Sequence, residues 1–142
     1  MNDLRRPPPT VGDLMTPDPV TVQADAPLVE AIELFDLYRV HGLPVIDDLG
    51  DLVGVLSESD LVRARTTEHM WDGWPGLRVR HLMTSPAITA IASTPLDEAV
   101  RSMEERHIHR LVVVEEDEQE TPIGVISMSD VVHAMAEAAR DA

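Results

Sequence analysis

Gly54-Val55-Leu56-Ser57-Glu58-Ser59-Asp60 occurs again seventy positions later, as Gly124-Val125-Ile126-Ser127-Met128-Ser129-Asp130. Five of the seven positions are identical, and Leu56 is exchanged for Ile126. An apolar stretch running into Ser-x-x-Asp reads as a buried strand entering a helix, with a hydroxyl and a carboxylate three apart at the junction. The first N–H groups of a helix lack intrahelical acceptors, and its dipole favours anions. A junction of this kind is therefore suited to the sugar and phosphate of a nucleotide, and it occurs twice.

The similarity extends well beyond the phrase. Val11-Gly12-Asp13-Leu14-Met15-Thr16 aligns with Val79-Arg80-His81-Leu82-Met83-Thr84 at an offset of 68. At that offset Thr21 meets Thr89, Pro27 meets Pro95, Glu30-Ala31 meets Glu98-Ala99, and His41 meets His109. Leu43-Pro44-Val45-Ile46 then meets Leu111-Val112-Val113-Val114, and the offset grows to 70 across the acidic stretch from Glu115 to Glu120. Fixed-period self-similarity of this length is a duplication. The division is a lead at 1–10, a first copy at 11–69, a linker at 70–78 and a second copy at 79–140.

At 142 residues the chain suits one compact body or two small intimate ones. It has no run of eighteen apolar residues and no charged leader followed by an apolar stretch, so neither membrane insertion nor a signal peptide is expected. The expected location is cytoplasmic. There is no cysteine, which excludes disulfides and thiolate metal sites. A net charge of −15 repels phosphate backbones, so nucleic acid is not an expected partner. Lysine is absent and all eleven basic residues are arginine, a bias that fits either a GC-rich genome or high salt.

Residues 1–10, with Arg5-Arg6-Pro7-Pro8-Pro9, form a proline-rich lead expected to be extended. Val20-Thr21-Val22 and Ile88-Thr89-Ala90 are short strand signals. Pro27 and Pro95 are placed as first helical residues. Leu28, Ala31, Ile32 and Phe35 recur at helical spacing, as do Leu96, Ala99, Val100 and Met103. Strands follow at Leu43–Ile46 (Leu111–Val114) and Leu52–Leu56 (Ile123–Ile126), and a helix opens at Ser57 or Ser127. Each copy is thus strand, helix, strand, strand, helix, and its continuously apolar strands call for helices over them: an α/β fold. A copy of about sixty residues buries too little alone, so the two should pack together. Trp71 and Trp74, in the link, are expected to cover the core or to form a partner-binding patch.

Two copies in this order, each opening with Leu-Met-Thr and ending in Gly-hydrophobic-hydrophobic-Ser-x-x-Asp, resemble cystathionine-β-synthase (CBS) domains in tandem, the Bateman module. The resemblance covers about residues 11–140. It implies two β-α-β-β-α repeats packed into one pseudo-two-fold module, binding adenosine-containing ligands in clefts between the repeats and assembling as a homodimer. By this resemblance Asp60 and Asp130 are the ribose-binding acids, with Ser57 and Ser127 beside ribose or phosphate. The adenine slot falls on Val20, Thr21, Val22, Leu43, Pro44 and Val45 in the first copy. In the second it falls on Ile88, Thr89, Ala90, Leu111 and Val112, with Val112 departing from the proline that stands at position 44.

Plainer readings exist for the same residues. Ser-x-x-Asp is also a capping box that needs no ligand, and every slot residue would serve equally as core. At the phosphate end the copies differ: His109-Arg110 stands where the first copy has His41-Gly42. Arg110 offers a fixed cationic fork for phosphate, or else pairs with Glu104, Glu105 or the acidic loop. With one such arginine and no lysine, AMP or S-adenosylmethionine is favoured over ATP as regulatory ligand, and no further cofactor is expected. His107 and His109 would share a face on a strand, but no third ligand lies at metal-site spacing, so no metal is expected. Glu115-Glu116-Asp117-Glu118 reads as a solvated loop.

The expected function is a stand-alone sensor that binds an adenosine ligand and signals to a partner protein. The alternative is a structural or interaction module with degenerate, ligand-free clefts. Without a Gly-rich phosphate loop, nucleophile elbow or paired catalytic carboxylates, no enzymatic activity is expected.

Overall fold

The computed structural model describes residues 9–65 and 76–141. Trp71 and Trp74 lie outside the described residues, as do residues 1–8 of the lead. The element order is α1 (Val11–Leu14), β1 (Thr16–Pro17), β2 (Val22–Gln23), α2 (Leu28–Tyr38), β3 (Gly42–Ile46), β4 (Leu52–Ser57) and α3 (Glu58–Arg65). It continues with α4 (Val79–Leu82), β5 (Thr89–Ile91), α5 (Leu96–Arg106), β6 (Arg110–Val114), β7 (Pro122–Ser127) and α6 (Met128–Asp141). No helix among the described residues is long and apolar enough to cross a membrane.

Two compact units form, and their boundaries cut across the sequence copies. Of the described residues, one unit gathers those up to Asp18 with Ile88–Gln119 and those from Ile123 onward. The other holds the described residues of Pro19–Ala87 with Glu120–Pro122. The opening segment of each copy has therefore been exchanged: α1 and β1 join the body of the second copy, and α4 joins the body of the first. We call these bodies the second-copy unit and the first-copy unit.

The first-copy unit has a three-stranded sheet in the order β2-β3-β4. β2 runs parallel to β3 with Val22 opposite Val45, and β3 runs antiparallel to β4 with Gly42 opposite Ser57 and Leu43 opposite Leu56. Its core is built from Val22, Leu28, Ala31, Phe35, Leu43, Val45 and Leu56, closed by Val79 from α4. The second-copy unit has a four-stranded sheet in the order β1-β7-β6-β5, with β5 parallel to β6 and β1 antiparallel to β7. Ala90, Ala99, Met103, Leu111, Val113 and Ile126 form its core, closed by Val11 from α1. Each opening valine is fully buried in the other copy's body, so the exchange contributes core packing.

The glycine that starts each repeated phrase is the socket for this exchange. A Cβ on Gly54 would lie 2.7 Å from the Thr84 carbonyl oxygen and 3.0 Å from Met83 Sδ. On Gly124 it would lie 2.9 Å from the Thr16 carbonyl and 2.8 Å from Met15 Sδ. The Leu-Met-Thr opening of one copy thus presses its backbone onto the Gly-Val strand of the other. Val55 and Thr84 seal the first contact with two backbone bonds, of 3.0 and 2.9 Å. Thr16 pairs with Val125 to seal the second.

Two local expectations shift. Pro27 and Pro95 stand one residue outside their helices, as N-caps with φ near −58° and ψ near 140°. Their carbonyls accept from Glu30 and Glu98 N–H, so the fixed φ serves the cap rather than the first turn. The strands that precede α2 and α5, β2 and β5, also begin later than expected, at Val22 and at Thr89. α2 and α5 both end on a left-handed residue, Arg39 (φ 56°) and His107 (φ 55°). His107 is therefore a helix cap, and it does not share a strand face with His109.

Candidate functional site

Each repeated phrase folds as its spacing dictates. The apolar residues fill the last strand of the unit, with Leu56 and Ile126 fully buried, and the serine is the strand's last residue. In the first copy the Ser57 N–H donates to Asp60 Oδ2 at 2.8 Å, and the Asp60 N–H donates to Ser57 Oγ at 3.2 Å. In the second copy the Ser127 N–H donates to Asp130 Oδ2 at 2.8 Å and the Asp130 N–H donates to Ser127 Oγ at 3.3 Å. These are reciprocal capping boxes with aspartate in the third helical position. The next amide is also satisfied: Glu58 N–H donates to the His41 carbonyl at 3.1 Å and Met128 N–H to the His109 carbonyl at 2.9 Å. His41 and His109 are thereby held beside their helix starts by backbone, whatever their rings do.

The two acids differ in what surrounds their second oxygen. Asp60 is buried to 9% exposure, and Arg63, three residues on along the helix, brings its guanidinium 3.5 Å from Oδ1. At the matching position of the second copy stands His133, which pairs instead with Glu137 at 2.9 Å. Asp130 is only half-buried, and its box uses Oδ2 alone, which also accepts from the Ser127 hydroxyl at 3.1 Å. Arg63 is a residue that sequence reasoning missed. Its i,i+3 spacing from an acid was visible, but nothing marked that pair against many like it.

The sheet registers bring the slot residues of each copy side by side. In the first-copy unit Val22 lies next to Val45, and the start of β3 lies against Ser57. Leu43, Pro44 and Val45 are fully buried, Val22 nearly so, and Val20 and Thr21 half-buried. Val22, Leu43 and Val45 spend their side chains in the core, so only their backbone can address a ligand. In the second-copy unit Thr89 pairs with Val112 and Ala90 with Val113. Leu111 packs in the core with Ala90, and Ile88 packs against it. Val112 is buried, and Thr89 is exposed. Arg110 opens β6 half-buried, while His109 is exposed just before it.

Position 44 separates the copies chemically. Val112 donates its N–H to the Ile88 carbonyl at 3.3 Å, tying the first strand to the middle one. Pro44 has no N–H to donate, so the corresponding bond to the Val20 carbonyl cannot form. This is why parallel pairing starts at Thr89 in the second copy and only at Val22 in the first. The first copy thus leaves the Val20 carbonyl, two residues before β2, outside the ladder, among the residues expected to line the adenine slot.

One further pair joins the first-copy unit near its box: His41 Nδ1 and Glu58 Oε1 lie 2.6 Å apart. Among the described residues, no group of three or more histidine, aspartate or glutamate side chains is placed to hold a metal ion.

The CBS-domain family model matches residues 11–66 and again residues 79–137. Human 5′-AMP-activated protein kinase subunit gamma-3 is 32% identical over 122 residues, which are 83% of this chain and 24% of that subunit. The chain thus spans about a quarter of the length of the gamma-3 subunits it matches. Among solved structures, CBSX2 in complex with AMP is 35% identical, with a TM-score of 0.77 over 92% of this chain and 98% of that one. CBSX2 is a CBS-pair protein of Arabidopsis thaliana. The CBS domain pair of the protein MJ0100, in complex with 5′-methylthioadenosine and S-adenosylmethionine, has a TM-score of 0.82 at 22% identity. It covers 93% of this chain and 99% of its own, a likeness of fold.

Proposed function

Because the chain belongs to the CBS-domain family, which it matches as a tandem pair, we propose that it is a regulatory module that binds an adenosine-containing ligand and passes the bound state to a partner protein. One observation carries this reading. Both copies place an aspartate at a helix start with one oxygen held by the serine amide, so the carboxylate is pre-oriented for the two hydroxyls of a ribose. Pre-orientation of this kind lowers the ordering cost of binding. Support comes from CBSX2, a relative 35% identical that has been solved with AMP.

The ligand class follows from charge. The chain carries −15 net charge and no lysine, and only the second copy begins its middle strand with an arginine, Arg110, where the first has Gly42. Such a surface suits a single phosphate, as in AMP, or the cationic S-adenosylmethionine, better than a triphosphate. The copies are unequal hosts. The first offers the unladdered Val20 carbonyl to an adenine amino group, but its ribose acid is engaged by Arg63. The second offers Arg110 and a more open Asp130. Homodimerisation belongs to the same proposal, because Val132 and Met135 stand exposed on α6 at helical spacing.

Thermal-shift titration with AMP, magnesium-ATP and S-adenosylmethionine tests it. A ligand at a hundred times its Kd adds about 2.7 kcal/mol to stability, and each kcal/mol is worth a few degrees in a domain of this size. AMP or S-adenosylmethionine should raise Tm, and at lower concentration than ATP. Silence across all three would return the module to the second reading, a structural one. That reading has its own support, since both boxes are closed by protein groups alone.

A further inference from the structure

The first-copy unit holds a cavity of about 390 Å³ between α2, α3 and the corner that joins α2 to β3. None of its lining residues is among those placed at the adenosine site. Its floor is apolar, made by Ile32, Phe35, Val40 and Leu61, with Val62 at an exposed edge. Four charged or ionisable side chains stand around it: Asp36, Arg39, His41 and Glu58. His41 and Glu58 are already spent on each other at 2.6 Å. Asp36 and Arg39 are not: neither makes a side-chain hydrogen bond or ion pair with another described residue.

That last fact has a structural cause. Opposite charges three apart on a continuing helix meet and pair. Here the helix ends at Tyr38, and Arg39 is left-handed at φ 56°, which carries its side chain out of the helical row. The cavity is thus bordered by a carboxylate and a guanidinium with no partner among the described residues, with a hydrocarbon floor between α2 and α3. Its volume lies at the small end of ligand pockets, which run from about 300 to 1,000 Å³. A phosphate ester fits poorly, because Asp36 and Glu58 repel it. A net-neutral ligand with one ammonium, one carboxylate and an aliphatic body matches every wall.

We infer that this cavity binds a free α-amino acid with an apolar side chain. Arg39 takes its carboxylate, Asp36 its ammonium, and the side chain lies on Phe35 and Leu61. Glu58 belongs to the same wall and sits within the Ser57–Asp60 helix start, so the occupant touches the element that carries the ribose acid. The inference does not depend on the adenosine reading.

Isothermal titration of the full chain with L-leucine tests it, up to ~10 mM, tenfold above a millimolar Kd. Saturable binding of one leucine per chain is expected. Arg39→Asn, which suits the left-handed conformation, and Asp36→Ala should each weaken it at least tenfold, whereas Asp130→Asn should leave it unchanged. Both variant sites are solvent-exposed, and an unchanged far-UV circular dichroism spectrum shows that the fold is kept. 4-Methylpentanoate, which lacks the amine, and 3-methylbutylamine, which lacks the carboxylate, should bind at least tenfold more weakly than leucine. No binding, or binding indifferent to both substitutions, overturns the proposal. So does a chain that ignores leucine but is dimeric and becomes monomeric on Val62→Glu, which would assign the face to a second copy. Competition by AMP would merge the cavity with the nucleotide site and overturn it as a separate one.

Discussion

A carboxylate at the third position of a helix has two oxygens, and in both boxes the serine amide takes only Oδ2. Capping and ribose binding are therefore compatible, and substitution can separate them. Asn in place of Asp130 keeps an acceptor for the Ser127 amide but loses the charge. Asp130→Asn should cost less than about 1 kcal/mol of stability, at the low end for a lost cap. It should weaken an adenosine ligand in that copy about tenfold, as expected when charge-assisted hydrogen bonds become neutral ones. Chemical denaturation and ligand titration read the two effects separately. Position 44 allows the opposite experiment. Pro44→Val supplies the missing amide, and a strand bond adds about 0.5–1.5 kcal/mol. The same bond consumes the Val20 carbonyl. The variant should be more stable by urea titration and bind adenosine ligands less tightly in the first copy. Higher stability with unchanged binding would dissociate that carbonyl from adenine.

Among elements, helices α2 and α5 were the most legible, because eight of their apolar residues recur at helical spacing; five of those eight are buried and the other three, Ile32, Leu96 and Val100, are partly buried against the cores. The strand pairs were legible from composition, and the helix starts from Ser-x-x-Asp. The first strands were misplaced by one or two residues. Their start depends on whether the neighbouring strand has an amide to offer, a property of position 44 or 112 and not of the strand itself. The conformation of Arg39 was hidden too, since glycine or asparagine usually marks such a cap. With Arg39 went the cavity it borders. The sockets at Gly54 and Gly124 carry a prediction at this scale. A methyl group there meets backbone carbonyls, which cannot swing aside as a side chain can. Gly54→Ala and Gly124→Ala should each cost about 1–3 kcal/mol, the usual range for overpacking, read as a fall in Tm. Gly76→Ala, at a glycine with no described atom within 4 Å and no positive φ, controls for the added methyl alone.

Across the molecule, duplication was visible at once, but its spatial outcome was not. An alignment of two copies shows which residues correspond; it says nothing of which body each opening segment joins. Val11 and Val79 are identical in both copies and either could fill either core, so only the path of the chain decides. Net charge is a property of this scale as well. At −15 the compact state carries self-repulsion that salt screens, with a Debye length near 30 Å at 0.01 M and about 8 Å at 0.15 M. Tm should therefore rise as sodium chloride is added across that range; a fall would place net-stabilising ion pairs above the repulsion.

The exchanged openings also bear on what a half-length product of this gene would be. Loss of one repeat by recombination between the two copies leaves a chain with one opening segment and one socket. In the intact protein the opening of a copy never rests on its own socket, since Met15-Thr16 lies on Gly124 and Met83-Thr84 on Gly54. A single-copy chain would have to lend its opening to another molecule and borrow that molecule's in return. Such a product should appear as a reciprocally swapped dimer, whose dissociation exposes Val11 and the groove it fills and therefore coincides with unfolding.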